Sequence, residues 1–286
     1  MTTRDMANKD KGFRDSDSER GISFGAIASA AVLTLIVVVG VFMYVTHGNS
    51  SPSASNAPAS APSPSAGTHA TGFAEPTTDL FGRRVDIPNN PAGQPLPQDV
   101  SKQHKPSDGD WLTAAPAGTT DPHGWQRVYG ASVPFSTSDG PVDIENGLAV
   151  GFSHTPQGAA LAAAQIAYRL NARPGDRDLY VHQVNASPPQ LAAYDSARSA
   201  GRLPAQEPER ITRYLVAPDA FQIENYADDM AIVRLATRGP ASDGQQLWAA
   251  VRLVVSWENG DWRLEPTDAG SSQTEFVNSL DGWTKW

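Results

Sequence analysis

The 286-residue chain contains no cysteine. That absence removes disulfides, thiolate metal sites, thiol nucleophiles and a lipid-modified cysteine together. Any folded part must therefore be held by its hydrophobic core alone. Basic residues are also few, with 22 Lys and Arg against 31 Asp and Glu, a formal charge of −9. The first 20 residues balance, because Arg4, Lys9, Lys11, Arg14 and Arg20 stand against five acidic groups. The acidic excess belongs to the remainder of the chain, and an acidic body repels phosphate backbones, which argues against direct nucleic-acid binding. The six histidines (His47, His69, His104, His123, His154 and His182) show no H-x-x-H, H-x-x-x-H or H-E-x-x-H spacing. The sequence thus offers no metal-ligand pattern, and no cofactor is expected.

Charge is missing altogether from Gly21 to Val45, which reads GISFGAIASAAVLTLIVVVGVFMYV. About 20 apolar residues at about 1.5 Å each cross a bilayer core of about 30 Å, and backbone in lipid must satisfy its own hydrogen bonds. Residues 21–45 are therefore expected to be a transmembrane helix. Five Lys/Arg precede the span and none comes after it until Arg83. The positive-inside rule then makes residues 1–20 a cytoplasmic tail and places the rest outside, a single-pass topology at the cell membrane. A cleaved signal peptide is the other reading, but its apolar core is shorter and its leading region briefer.

Large apolar residues and charges are both absent from Asn49 to Gly72, a Ser/Ala/Pro-rich tract. Residues 46–75 are expected to be a disordered stalk, stiffened by proline. Residues 76–122 are rich in proline and glycine with sparse anchors (Leu80, Phe81, Val85, Ile87, Trp111, Leu112), and read as an extended arm.

Regular patterns begin beyond that. Residues 123–270 are expected to form the folded domain, and 271–286 an aromatic tail. WQRVYGASVPF at 125–135 reads as a short strand. Thr155 and Pro156 cap a helix that continues to about Leu170, with Ala159, Ala162, Ala163, Ile166, Ala167 and Leu170 on one face. A second helix is expected over Pro188–Ala200, whereas LYVHQV around His182 suggests a strand. Strands come next at Phe221–Ala227, Met230–Thr237, Gln246–Glu258 and Asp261–Glu265. Asn259-Gly260 between the last two is a type I′ hairpin signal. Helices first and an antiparallel meander after them predict an α+β fold, with helices packed on one face of a curved sheet.

Two segments carry a resemblance. Gly151-Phe152-Ser153-His154-Thr155-Pro156-Gln157-Gly158-Ala159 and Trp257-Glu258-Asn259-Gly260-Asp261-Trp262-Arg263-Leu264 resemble a GF-x-H/R-TP-x-GA-x-x-AA helix and a W-x-x-GDW-x-L hairpin. Those motifs belong to an actinobacterial membrane-anchored family found with conjugative elements. The resemblance covers about 140 residues and implies a cone-shaped ectodomain of the nuclear transport factor 2-like (cystatin-like roll) class. It also implies a role in a conjugation or type IV secretion-like apparatus.

Some domains of that class are enzymes with an Asp/His pair in the cavity. His154 with Asp228, Asp229 or Asp261 would be the pair here. Asp228 and Asp229 fall in a turn, Asp261 opens a hairpin, and no carboxylate faces inward in the expected register, so no catalytic residue is assigned. His154 stands instead as a polar residue at the cavity mouth. Trp257 and Trp262 read as a cross-strand aromatic pair. In the tail, Phe276, Leu280, Trp283 and Trp286 are candidate partner-binding residues, docking either on their own sheet or on another chain. The expected function is a non-enzymatic, membrane-anchored assembly or scaffold component whose partners are other membrane or envelope proteins, or further copies of itself. The alternative is an envelope protein that binds a lipid or small ligand in the cone. A cell-wall enzyme is a third reading.

Overall fold

The computed structural model describes residues 70–239, 244–266 and 274–286. The expected cytoplasmic tail, transmembrane helix and most of the stalk lie outside these residues. Among the described residues no helix is long and apolar enough to cross a membrane. This corrects the expectation of a single-pass membrane protein, which has no spanning helix to rest on there.

The first sheet is built by β1 (Phe73–Thr78), β2 (Arg84–Pro88), β3 (Trp125–Val128) and β4 (Ala131–Pro134), in that order. Its pairs are antiparallel except β2–β3, which run parallel through Asp86 opposite Gln126. The segment read as an extended arm thus contributes two strands. Between them Asp79 accepts the N–H groups of Phe81 and Arg83, which closes the turn. The short hairpin β5 (Asp143–Glu145) and β6 (Leu148–Val150) comes after this sheet. It turns through Asn146 and Gly147 at φ 51° and 88°, the left-handed pair that a type I′ turn requires.

Four helices come next: α1 (Pro156–Ala172), α2 (Arg177–Gln183), α3 (Pro188–Ser199) and α4 (Glu209–Thr212). Thr155 caps α1 by accepting from the Gly158 N–H at 3.0 Å, as the sequence suggests. The stretch around His182, expected as a strand, is helix α2. Asp176 caps it by accepting the Leu179 N–H at 3.2 Å, and a short apolar run of this kind fits either state until a cap decides.

The second sheet contains β7 (Ala220–Tyr226), β8 (Met230–Arg238), β9 (Trp248–Glu258), β10 (Asp261–Leu264), β11 (Thr274–Val277) and β12 (Thr284–Lys285). It is antiparallel, in the order β10-β9-β8-β7-β12, and β11 pairs with the other half of the β9 edge. β11 and β12 therefore lie at opposite edges. Four strand spacings of about 4.8 Å separate them by about 19 Å, and seven residue steps of about 3.3 Å reach about 23 Å. Residues 278–283 therefore cross the sheet in one pass, with a turn closed by the Trp283 N–H on the Leu280 carbonyl at 3.1 Å. They pass over the face bearing Arg234, whose guanidinium lies 4.8 Å from the Trp283 ring.

The expected cystatin-like roll, with helices on one face of a single sheet, is corrected by this arrangement. The described chain is mainly β, and α1 lies between sheets rather than on one. It touches β4 on one side and β7 to β10 on the other, and every residue of it is buried. A helix apolar on one stripe can rest on a sheet with its back in water; one buried all round must be enclosed. Ala159, Ala160, Ala162, Ala163, Ala164 and Ala167 make that enclosure possible, because methyl groups let strands and loops approach closely.

The polar side chains of α1 turn inward onto partners, save Gln157 Oε1 and Asn171 Oδ1, which find none among the described residues. Gln165 Nε2 donates to the Pro134 carbonyl at 2.6 Å, and the Tyr168 hydroxyl meets Thr237 Oγ1 at 3.1 Å. Arg169 donates to Gln165 Oε1, the Gly147 carbonyl and the Ala92 carbonyl at 2.9, 3.0 and 2.8 Å. Burial costs are thereby offset, since buried polar groups are tolerated when hydrogen-bonded.

If α1 is enclosed on every side, Ala163→Leu should overpack the interior and destabilise by about 1–3 kcal/mol. Ala192→Leu on the exposed face of α3 should be nearly neutral. Urea unfolding of both variants tests this, and equal effects would contradict enclosure.

Candidate functional site

The two motif segments meet. Gly151 leaves β6 at φ 76° and starts the lead-in to α1, and Asp261 opens β10 after the Asn259-Gly260 turn, whose residues sit at φ 54° and 87°. Asp261 Oδ2 accepts the Gly151 N–H at 2.7 Å, while Oδ1 accepts those of Phe152 at 3.2 Å and Trp262 at 2.9 Å. Trp262 Nε1 donates to the Ser153 carbonyl at 2.9 Å. A Cβ on Gly158 would collide with that same Ser153 carbonyl, which explains glycine at this helical position. One hairpin end therefore holds the whole lead-in of α1.

His154 lies over this lock. Its ring stacks on Trp257, with centroids 4.2 Å apart and planes 7° apart, and meets Trp262 edge-on at 5.6 Å. Its Nε2 bonds the Asp228 carbonyl, so that nitrogen carries the proton. Tyr226 donates its hydroxyl to the His154 carbonyl at 3.1 Å and packs edge-on against Trp111 at 5.8 Å. Burial, and after it the charge of Asp228, pushes the Tyr226 phenol up to about 12.

Behind the lead-in lies a buried carboxylate, Asp139. Its Oδ1 accepts from Ser153 Oγ at 2.6 Å and Thr155 Oγ1 at 2.8 Å, and Oδ2 accepts from Ser138 Oγ. Serine, histidine and aspartate are thus neighbours, yet the geometry is not that of a nucleophile. Activation needs the hydroxyl hydrogen-bonded to the base. Here the Ser153 hydroxyl is bound to the acid, and the ring of His154 is turned to the Asp228 carbonyl.

Of the residues singled out from the sequence, His154, Asp228 and Asp261 come together at the lock, Asp228 through its carbonyl, and the others are dispersed. Asp228 and Asp229 are exposed in the β7–β8 turn, His182 is exposed on α2, and Asp261 joins His154 only through the lock. Phe276 lies on β11 at 49% exposure, Leu280 on the crossing segment, and Trp283 over Arg234. Trp286 is 8% exposed, with Trp125 edge-on at 5.7 Å and Phe221 at 4.5 Å, so it is part of the core. That places the end of the tail on its own domain.

Other polar clusters leave no mark in residue spacing. Asp219 gathers Arg83 at 2.7 Å, Arg238 at 3.1 Å and Trp248 Nε1 at 2.7 Å, tying the β1–β2 turn to the second sheet. His104 Nδ1 lies 3.2 Å from Asp110 and 3.9 Å from Asp108 on a surface loop. Paired-histidine spacing does not report it, because both partners are carboxylates.

Asp261 gives a pH signature. Burial raises its carboxyl above the ordinary value of 3.8, against the three N–H groups that lower it. A carboxyl raised in the folded state binds protons more tightly there than when unfolded, so its contribution to stability falls as pH rises through and above 3.8. The stability difference between the native chain and Asp261→Asn should therefore favour the native chain most at acid pH and shrink toward neutrality. Urea midpoints across pH measure it, and a difference that grows with pH would show the opposite shift.

No curated protein and no solved structure matches the chain. A family model matches residues 86–285, which take in the lock, both sheets from β2 onward and all four helices. Its description assigns no function, and so corrects the expected tie to conjugation and secretion, which has nothing to stand on. The chain belongs to the family described as a domain of unknown function, DUF8175.

Proposed function

We propose that the described domain works by non-covalent association, as a non-enzymatic assembly or scaffold module. The observation that carries this reading is the internal use of the hydroxyls and the carboxylate that join the two motifs, and of His154 Nε2. The Ser153 and Thr155 hydroxyls are bound to Asp139, the His154 ring to a carbonyl, and the Asp261 carboxylate to three backbone N–H groups. Groups so committed hold a shape rather than act on a substrate.

Beside that shape the surface is apolar in places. Val142, 56% exposed, comes just after the Asp139–Gly140 bend and lies against Gly151. Val100, 71% exposed, is next to Asp99, whose N–H donates to the Thr137 carbonyl at the start of the same bend. Two exposed valines flanking a rigid bend suit a protein partner, since rigidity lowers the entropy cost of docking.

A photo-crosslinking residue placed at Val142 in producing cells should give a discrete adduct, and excess unlabelled domain should compete it away. A second copy of the chain would count as such a partner. The absence of a competable adduct at Val142 and at Val100 would sink the reading.

A further inference from the structure

A polar cleft of about 640 Å³ opens between the end of β1, β3 and the segment that contains α4. Its size is that of a small-molecule site. Buried Thr212 and half-buried Arg127 line it together with exposed Thr78, Glu209 and Arg213, so Arg127 lies deeper than the residues at the mouth.

Arg127 is the unusual member. Its guanidinium donates through one nitrogen to the Gly130 carbonyl at 3.1 Å. Among the described residues no carboxylate lies within ion-pair distance of it. Asp79 also lines the cleft, but its carboxylate is already committed to the Arg83 side chain at 2.7 Å and to two backbone N–H groups. Burial draws the Arg127 pKa below its ordinary value, with Asp79 and Glu209 acting against that from a distance. A half-buried cation that lines a cleft with unspent donors and no counter-ion in reach is suited to receive an anion. An arginine presenting a planar set of N–H groups into a cleft is matched by a carboxylate or phosphate, which it can grip with two parallel bonds.

The rest of the lining sets the body of the ligand. Thr78 and Thr212 offer hydroxyls, Glu207 and Glu209 offer acceptors, and Arg213 at the mouth adds a second cation. This suits a molecule with hydroxyl groups rather than an apolar tail. We propose that this cleft binds a small hydroxylated organic anion, with its carboxylate or phosphate group held by Arg127 and its hydroxyls by the threonines and Glu209.

Isothermal titration calorimetry on the full chain with glucuronate, glucose 6-phosphate and glucose tests the assignment. One or both of the acids should bind saturably, and glucose should bind at least about tenfold more weakly. The acid that binds identifies the head group. Arg127→Gln should reduce that affinity by about tenfold or more, with Arg127→Lys between the two. Thr78→Val, on the exposed rim and away from the cation, should weaken binding severalfold and guards against an Arg127 variant that fails to fold. Circular dichroism identifies that failure. The proposal is overturned if neither acid binds up to about 10 mM, if glucose binds as tightly as the acids, or if folded Arg127→Gln and Thr78→Val bind like the native chain.

Discussion

Helix α1 has no face in water, and the rest of the domain is arranged to make that possible. Its alanines fix how near β4 and the second sheet can come. Its polar side chains fix where the surrounding loops must pass, because each needs a partner. Arg169 holds the carbonyls of Gly147 and Ala92, and Gln157 holds those of Trp111 and Ala114. Burial pulls the Arg169 pKa down to about 10, with Arg173 adding to the effect and Tyr129 opposing it. The group is still a cation at neutral pH. An enclosed charge bonded to neutral carbonyls is a costly device. It persists because losing those bonds would strand donors at the centre of the fold.

The hairpin lock belongs to the same constraint. An enclosed helix must enter through a narrow gap, and the Gly151–Thr155 lead-in is gripped from both sides. Asp261 and Trp262 hold its backbone from the second sheet, and Asp139 holds its hydroxyls from the bend after β4. Aromatic rings from three places in the chain then cover the outside. A segment held this way has little freedom to rearrange, which fits a shape-presenting role better than a reactive one.

Much of the second sheet is legible in the sequence, because alternation over 220–265 and the Asn259-Gly260 turn are local signals. The start of α1 is legible for the same reason, through Thr155 and Pro156. The surroundings of α1 are not. A run of alanines points to no side, so the pattern suggests a single apolar stripe where the whole circumference is buried. Residues 73–122 are unreadable because their order depends on distant polar partners: Asp79 through Arg83 to Asp219, Asp86 with the His123 N–H, and Gln94 with Gln126. No periodicity reports such pairs. At the site, both motifs are visible as words, but that Asp261 binds Gly151 across 110 positions is not. The buried carboxylates Asp86 and Asp139 give no local signal, because one lies in a strand too short to show alternation and the other in a bend.

The crossing segment 278–283 ties together the two opposite edges of the second sheet. At its start β11 covers half of the β9 edge, and past its end β12 covers part of β7 while Trp286 fills the gap between Trp125 and Phe221. Most of it lies on the outside of the sheet, open to solvent. A single proteolytic nick there would free β12 and Trp286 together, uncovering a strand edge and a core socket in one event. Damage at this short surface strap would thus reach the core without touching the buried helix that organises everything beneath it.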